Sequence, residues 1–303
     1  MEKFNDGFIQ NSFSSQEQGS LYLVATPIGN LGDMTARAIE VLKDVDMIAA
    51  EDTRQTRKLL SAFDIHTKLV SYHEHNKEQQ GQYLLEQLQA GSNIAIVSDA
   101  GLPGISDPGA DIADLAISAS IPVIPIPGAS ASLTALTASG INTDRFVFYG
   151  FLNRQRSKRK KELEGLKALP YTLIFYESPH RVKDCLTDMH LVLGDRRVSI
   201  GRELTKKFEQ FIRGKITFCL EALEQQKLLG EFTIVVEGIS KEELEQVLTN
   251  NQWWEGQSIT EHVENYISQG NSSKEAIKLA ANDRSLPKRD VYQEYHSLND
   301  NNS

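Results

Sequence analysis

Cysteine is scarce in this sequence: Cys185 and Cys219 are its only two, and neither belongs to a Cys-x-x-Cys pair or a Cys/His cluster. Both lie in segments with apolar periodicity, which predicts two buried thiols rather than a disulfide and no zinc site. Free thiols are typical of a reducing compartment, so we expect a cytoplasmic protein.

Long hydrophobic runs are also missing. No stretch approaches the ~18 consecutive apolar residues that a membrane-spanning helix needs, so no span and no membrane partner are predicted. The first residues are rich in Asn, Gln and Ser and lack the apolar core of a signal peptide. We expect residues 1–19 to form a disordered extension.

Positive charge is in deficit, since the formal net charge is −9. The molecule as a whole is therefore not a polyanion binder, and a nucleic-acid site must be a local basic patch. The length of 303 residues exceeds one typical domain and predicts two or three, while the 40% apolar content is enough for ordinary cores.

The most informative stretch begins with the apolar run Ile94–Val97, which predicts a strand buried on both faces of a parallel sheet. Ser98 and Asp99 follow, and residues 101–109 then contain three glycines and two prolines. A loop of this composition lets a ligand approach the main chain closely. Because ligands of open α/β sheets bind beyond the carboxyl ends of strands, we predict a binding loop, with a long structural turn as the alternative.

Three further strands are predicted at residues 21–25, 47–50 and 69–72, each followed by a helical pattern. The glycine loop at 26–35 matches neither the dinucleotide nor the P-loop spacing. Glu51 and Asp52 are either a ligand-facing cluster or a helix N-cap, and the two interpretations are compatible. His73 and His75 indicate a polar loop facing substrate rather than a metal site, since no further ligand is supplied.

Residues 121–126 are extended, but Pro122, Pro125 and Pro127 exclude a central strand and predict an edge strand or a crossing between domains. The small residues at 127–132 then open a helix that runs through Ala138. Its free N–H groups would suit a ligand, and tight helix packing is the alternative.

From Arg145 onward, apolar strands at 146–149, 171–176, 197–200 and 232–236 look antiparallel and alternate with helices at about 158–167, 180–192 and 218–225. This mixture predicts an α+β second domain. Residues 241–303 are charged and helical, and predict a small appendage suited to contact with RNA or a partner.

Residues 154–161 contain six basic side chains in eight positions of an acidic protein. The segment begins a predicted helix, where cations are disfavoured. We therefore interpret it as a contact to a phosphate backbone, with a solvated helix start as the alternative.

Several blocks, in this order, carry a family resemblance. They are residues 25–33 (ATPIGNLGD), 51–54 (EDTR), 98–109 (SDAGLPGISDPG), 127–131 (PGASA), 177–181 (ESPHR) and 202–206 (RELTK). Together they resemble the tetrapyrrole methylase superfamily of S-adenosylmethionine-dependent methyltransferases. Within it they look most like the branch that methylates a cytidine 2′-hydroxyl in 16S rRNA of the small ribosomal subunit.

The resemblance implies an α/β fold of two domains, a parallel-sheet N-terminal domain (20–126) and a mixed α+β second domain (127–239), followed by a helical C-terminal region (240–303). It also implies a homodimer, and S-adenosylmethionine held in the cleft between the two domains. The residues that would contact the cofactor are Pro27, Ala100, Gly101, Leu102, Ile105, Ser130, Ala131, Tyr176 and Leu204.

An rRNA substrate gives the basic residues a role. The predicted RNA contacts are Arg54, Arg154, Arg156, Lys158, Arg159, Lys160 and Arg181. A ribose hydroxyl is a poor nucleophile until its proton leaves, so a positioned base or cation is expected. The candidates are Glu203 and Lys206, with Glu177 behind them; an ordinary structural ion pair is the alternative for each.

Two other functions are compatible with the pattern. One is a small-molecule methylase of the same superfamily, which the basic segment and the helical appendage disfavour. The other is a non-catalytic ribosome-binding factor, which would not need the Gly/Pro loops.

Overall fold

The computed structural model describes residues 9–12, 18–245 and 253–299. The chain divides into two compact units. The larger unit contains the chain up to Lys167 together with Tyr171–Glu237, and the smaller unit contains Ala168–Pro170 and the chain from Gly238. Most of the predicted extension, residues 1–8 and 13–17, lies outside the described residues.

The larger unit has ten strands and eight α-helices in its described part. The strands are β1 Leu21–Val24, β2 Met47–Ala50, β3 Lys68–Ser71, β4 Ile94–Val97, β5 Val123–Ile126, β6 Phe146–Phe151, β7 Thr172–Glu177, β8 Arg197–Arg202, β9 Gln210–Lys215 and β10 Phe232–Val236. The helices are α1 Ala36–Asp44, α2 Thr53–Ala62, α3 Lys77–Gln89, α4 Gly109–Ser118, α5 Ala131–Thr137, α6 Arg156–Leu166, α7 Val182–Leu193 and α8 Ile216–Glu224.

The first sheet has the strand order β3-β2-β4-β1-β5, and all of its strands are parallel. Strand β4 lies in the centre and is buried on both faces, as its continuous apolar run predicts. Ile94 and Ile96 pack with α3 and α4 on one face, whereas Ala95 and Val97 pack with α1 and α2 on the other. The loop that follows β4 therefore leaves the sheet at its carboxyl edge.

Strand β5 lies at the edge of this sheet, as its prolines predict, because Pro125 cannot donate to a second neighbour. On the outer side of β5, the side-chain amide of Gln10 donates to the Val123 carbonyl at 3.0 Å and accepts from the Val123 N–H at 2.9 Å. Gln10 belongs to the predicted disordered extension, so residues 9–12 of that segment are held on the sheet edge.

The second sheet has the order β6-β7-β10-β8-β9. Its pairs are antiparallel except β6 with β7, which run parallel, so the prediction of an antiparallel arrangement is wrong for this pair. The three helices predicted here begin and end within two residues of α6, α7 and α8. Strand β9 was not predicted, because Arg213 and Lys215 interrupt its apolar pattern.

The smaller unit contains α9 (Ile259–Ser268), α10 (Ser273–Asp283) and α11 (Lys288–Asn299), and residues 241–245 are also helical. The three named helices pack around an apolar cluster that includes Val263, Ile277 and Val291. His262 is fully buried beside this cluster, and burial, reinforced by the Arg284 guanidinium, lowers its pKa. The helical C-terminal region is therefore a unit with its own core.

Cys185 and Cys219 are both buried free thiols, as predicted. Within the described ranges, every helix is too short or too polar to cross a bilayer. The same residues contain no group of three or more His, Cys, Asp or Glu side chains arranged to hold a metal ion.

Candidate functional site

A cavity of about 600 Å³ opens in the larger unit and is lined by residues of both sheets. The first sheet contributes the loop after β4 and the residues that open α5. The second sheet contributes β6, β7 and the start of β10. Its size lies within the usual range for small-molecule sites.

The residues predicted to bind a cofactor come together at this cavity, with one exception. Its lining includes Ala100, Gly101, Leu102, Ile105, Ser130, Ala131, Tyr176 and Leu204, but not Pro27. Pro27 follows Thr26, whose backbone pairs with Gly101 through hydrogen bonds of 2.9 and 3.1 Å. The exception therefore lies on the segment that supports the lining rather than in the lining itself.

The loop after β4 is held in shape by hydrogen bonds to its backbone N–H and carbonyl groups. Gly101 has φ +85°, in the left-handed region where a side chain is strained, so glycine suits the turn that pairs with Thr26. Asp107 accepts the N–H groups of Gly104 and Gly109, both at 2.8 Å, and so closes the rest of the loop. Burial raises the pKa of Asp107, although these two hydrogen bonds act in the opposite direction.

One wall of the cavity is aromatic. Tyr176 on β7 meets Phe148 and Phe151 of β6 edge to face, with ring centroids 4.9 and 5.6 Å apart. The Tyr176 hydroxyl accepts the backbone N–H of Ser132 at 3.1 Å, which ties the wall to the start of α5. The position of Tyr176 is thus fixed by ring contacts with β6 and by this hydrogen bond to α5.

The charged side chains that line the cavity are all acidic. Glu51, Asp99, Asp107, Glu177 and Glu231 line it, and the described lining includes no Lys, Arg or His. Burial raises the pKa of Glu51, and the nearby carboxylates of Asp99 and Asp107 raise it further. Such a lining favours a ligand that carries positive charge.

The Glu51-Asp52 pair serves both of the roles considered for it. The Asp52 side chain caps α2 by accepting the N–H groups of Arg54 and Gln55, while Glu51 faces the cavity. The backbone N–H of Asp52 donates to Asp99 Oδ1 at 3.1 Å, which joins this strand end to that of β4.

Of the three predicted catalytic residues, Glu177 lines the cavity, whereas Glu203 and Lys206 do not. Lys206 Nζ lies 2.9 Å from Glu203 Oε1 and 3.2 Å from Glu231 Oε2. Burial opposes the charged forms, but these contacts outweigh it: the pKa of Lys206 is raised and that of Glu203 is lowered. Lys206 is thus a cation held by two carboxylates, and the second of these, Glu231, lies in the cavity lining.

Glu177 is 3% exposed and is committed to local contacts. Its Oε1 accepts the Ser178 N–H at 2.7 Å, and its Oε2 lies 3.1 Å from the Arg181 guanidinium. Arg181 in turn donates to the carbonyls of Leu152 and Asn153. Arg181 therefore braces the turn after β6, and its side chain keeps 23% exposure, so its contact with RNA stays a prediction.

The fold buries one cation of the predicted basic segment, residues 154–161, and leaves others exposed. Arg159 is 4% exposed and donates twice to Asp188, which is itself fully buried. Arg159 is therefore unavailable to a phosphate, and its prediction as an RNA contact is corrected. Arg156 and Lys160 also approach Asp188, at 2.9 and 3.9 Å, but keep substantial exposure.

Arg154 and Lys158 are exposed in the same segment. Arg54 is also exposed, with an ion pair to Asp52 at 3.4 Å. Among the predicted RNA contacts, these three cations are exposed and lie outside the group around Asp188.

Phe151 and Glu231 are two of the cavity residues that were not predicted as site residues. Phe151 was not included in the predicted strand, and Glu231 immediately precedes β10 without a motif around it. The sequence indicates a site at Glu231 only through its position, because this residue lies between Gly230 and a buried strand. Neither residue type indicates a site by itself.

Comparison with known proteins agrees with this geometry. Residues 20–218 match the tetrapyrrole (corrin/porphyrin) methylase family. The chain is 57% identical over 288 residues to the ribosomal RNA small subunit methyltransferase I of Bacillus subtilis, covering 95% of this chain and 98% of that one.

Two solved structures share the fold at low identity. One is diphthine synthase, with a TM-score of 0.57 and 14% identity over 72% of this chain and 90% of that one. The other is uroporphyrin-III C-methyltransferase from Thermus thermophilus with S-adenyl homocysteine, with a TM-score of 0.52 and 19% identity over 76% of this chain and 100% of that one. The matched family, the near full-length relative and the shared fold agree: this chain belongs to the tetrapyrrole methylase family.

Proposed function

We propose that this protein is an S-adenosylmethionine-dependent rRNA methyltransferase that methylates the 2′-hydroxyl of a cytidine in 16S rRNA. The observation that carries the proposal is the 57% identity over 95% of the chain to a ribosomal RNA small subunit methyltransferase I. The cavity between the two sheets adds a site of suitable size and charge. An rRNA substrate implies a cytoplasmic location and the small ribosomal subunit as partner.

The cavity suits S-adenosylmethionine, which supplies a methyl group on a positively charged sulfonium. Glu51 and Asp99 would attract the cofactor's positive charge, and Tyr176 and Phe148 of the aromatic wall would contact its adenine. Gly101 and Ala131 leave room for the cofactor beside the backbone, which explains why the predicted contact residues include glycine and alanine and no charged residue. The same carboxylates would repel RNA phosphates, so only the reacting ribose and base would enter.

Methyl transfer to a hydroxyl needs alignment and the removal of one proton. Glu231 lines the cavity and carries the accessible carboxylate of the group formed with Lys206 and Glu203. We assign it as the proton acceptor. Lys206 stays protonated and Glu203 ionised at neutral pH, so both act as positioning residues that hold the Glu231 carboxylate. Glu177 positions the turn after β6 through Arg181.

The exposed cations of the 154–160 segment would bind the RNA backbone outside the cavity. Arg154 and Lys158 carry most of this role, with Arg156 and Lys160 beside them and Arg54 on α2. We also propose that the protein acts as a homodimer, and that residues 20–126 and 127–239 are the two domains whose cleft holds the cofactor.

The test is to incubate the protein with radiolabelled S-adenosylmethionine and small ribosomal subunits or 16S rRNA that lack the modification, and then to map the labelled nucleotide. Label on one cytidine ribose is the expected result. Label on a base, or on another rRNA, would contradict methylation of a cytidine 2′-hydroxyl in 16S rRNA but would still support an rRNA methyltransferase. Cofactor binding without any rRNA label would favour the small-molecule methylase, and failure to bind cofactor would favour the non-catalytic binding factor.

A further inference from the structure

Phe151 is a large apolar side chain that the fold leaves exposed at the cavity. It is 57% exposed although it lines the cavity and contacts Tyr176 edge to face. It also ends strand β6, so its position is set by the sheet rather than by a loose loop. An exposed phenylalanine on such a rigid element has more than half of its surface available for contact with a ligand.

A bulge in β6 creates this position. Phe148 pairs with Ile174 and Gly150 pairs with Phe175, so Tyr149 is an extra residue in the strand. In a regular strand, residues three apart point to opposite faces. The bulge removes that alternation, and both Phe148 and Phe151 contact Tyr176. Bulges between parallel strands are rare, and bulges are over-represented at sheet edges, where β6 lies, and next to active sites, where they redirect a side chain.

Gly150 makes the bulge feasible. Its φ is +79°, a conformation that strains other residues. A Cβ at this position would also lie 3.3 Å from Ser106 Oγ, on the loop after β4. Close packing of that loop against β6 and the orientation of Phe151 therefore depend on the same glycine.

The chain places positive charge directly after this aromatic ring. Arg154 and Lys158 are exposed three and seven residues beyond Phe151. The turn between them and Phe151 is fixed, because Arg181 donates to the carbonyls of Leu152 and Asn153. Exposed aromatic rings and exposed cations on one stretch of chain are the combination that proteins use to bind single-stranded nucleic acid, with stacking on the base and ion pairs to the phosphates.

We propose that Phe151 is the stacking platform for the acceptor nucleobase, an unpaired pyrimidine of the RNA. This inference rests on the proposed function and adds a base-binding subsite to it. The base stacks on the exposed face of Phe151, the ribose enters the cavity, and the flanking phosphates stay outside near Arg154. The negative lining of the cavity enforces this orientation, since it disfavours entry of a phosphate.

The test compares Phe151→Ala with the wild-type protein on small ribosomal subunits that lack the modification. Loss of one base-stacking contact is expected to raise KM for the subunits by about 5- to 100-fold. The Kd for S-adenosylmethionine should stay unchanged. Phe151→Trp should retain the wild-type KM, and Phe151→Leu, which keeps apolar contact but loses the aromatic face, should behave like the alanine variant.

Phe146→Ala is the matched control. Phe146 lies on the same strand and is 42% exposed, but it does not line the cavity. Its replacement should leave KM unchanged.

Several results would overturn the subsite. They are an unchanged KM in Phe151→Ala, wild-type behaviour of Phe151→Leu, an equal effect in Phe146→Ala, weaker cofactor binding, or an altered oligomeric state by light scattering. Absence of rRNA methylation by the wild-type protein is a different failure, because it would overturn the proposed function itself.

Discussion

The guanidinium of Arg159 and the carboxylate of Asp188 form a buried ion pair between α6 and α7. Arg159 Nε and an Nη of the same group donate to one Asp188 oxygen at 2.9 and 2.6 Å, and Arg156 Nε donates to the other at 2.9 Å. Asp188 is fully buried, so its charge is compensated almost entirely by these donors. The pair fixes the helix that carries the basic segment.

Replacement of Asp188 by Asn should therefore destabilise the protein. Removing one partner of a buried pair leaves the other charge uncompensated, which costs about 3–5 kcal/mol. We expect the free energy of unfolding, measured with urea, to fall by about 3 kcal/mol. Asp184→Asn on the exposed side of α7 is the control and should change it little. The double variant Arg159→Met/Asp188→Leu should recover much of the loss, and a double variant as unstable as Asp188→Asn would contradict this account.

Neutralising the exposed cations should weaken RNA binding without affecting the fold. In Arg154→Gln/Lys158→Gln, each lost phosphate contact should reduce the slope of log affinity against log salt by about 0.7 for single-stranded RNA. Filter binding of 16S rRNA across a salt series measures both quantities. Lys43→Gln/Lys167→Gln removes the same charge elsewhere and should leave the slope unchanged. Equal slopes in the first variant and the wild type would exclude the segment from RNA binding.

Lys206→Ala should abolish most methylation while cofactor binding persists. Without the cation, the side chains of Glu203 and Glu231 lose the ammonium group that both of them contact. We expect kcat to fall by at least tenfold with an unchanged Kd for S-adenosylmethionine measured by calorimetry. Lys207→Ala is the control, because Lys207 is exposed and contacts the ring of Phe208. Unchanged turnover in Lys206→Ala would remove this residue from the catalytic group.

Cofactor affinity should decrease in mild acid. The pKa of Glu51 is raised by burial and by the carboxylates of Asp99 and Asp107, so Glu51 takes up a proton at a higher pH than an ordinary glutamate. Its neutral form no longer attracts a cation, so binding is strongest above the raised pKa and weakens as the pH falls through it. His73 and Glu74 also act on this group and would modulate the midpoint.

The variant Glu51→Gln tests this origin of the pH dependence. It should bind S-adenosylmethionine a few-fold more weakly at neutral pH, on the order of 1 kcal/mol for a nearby solvated charge. Its affinity should also vary less between neutral and mildly acidic pH. The control is Glu40→Gln, because Glu40 lies on the exposed side of α1. A wild-type pH profile in Glu51→Gln would assign the effect to the other carboxylates.

Local pattern was enough to predict the parallel sheet and the edge of it at which the cavity lies. The run at β4 identified a strand buried on both faces, and the prolines of β5 identified an edge strand, because both signals depend on the residues of one strand. The burial of Arg159 within the basic segment could also be predicted in part. Arg159 shares a helix face with Leu163 and Leu166, and Asp188 lies among the buried Cys185 and Met189.

Which loops meet at the carboxyl ends of the strands could therefore be predicted from local sequence, because glycine, proline and β-branched residues act on the backbone nearest to them. Which side chains reach the cavity depends instead on how distant parts of the chain pack together. Glu231 and Lys206 are 25 residues apart and meet because β8 and β10 are neighbours. Phe151 faces the cavity because β6 pairs with β7 through a bulge. Strand register sets such contacts, and it depends on partners that are distant in the chain.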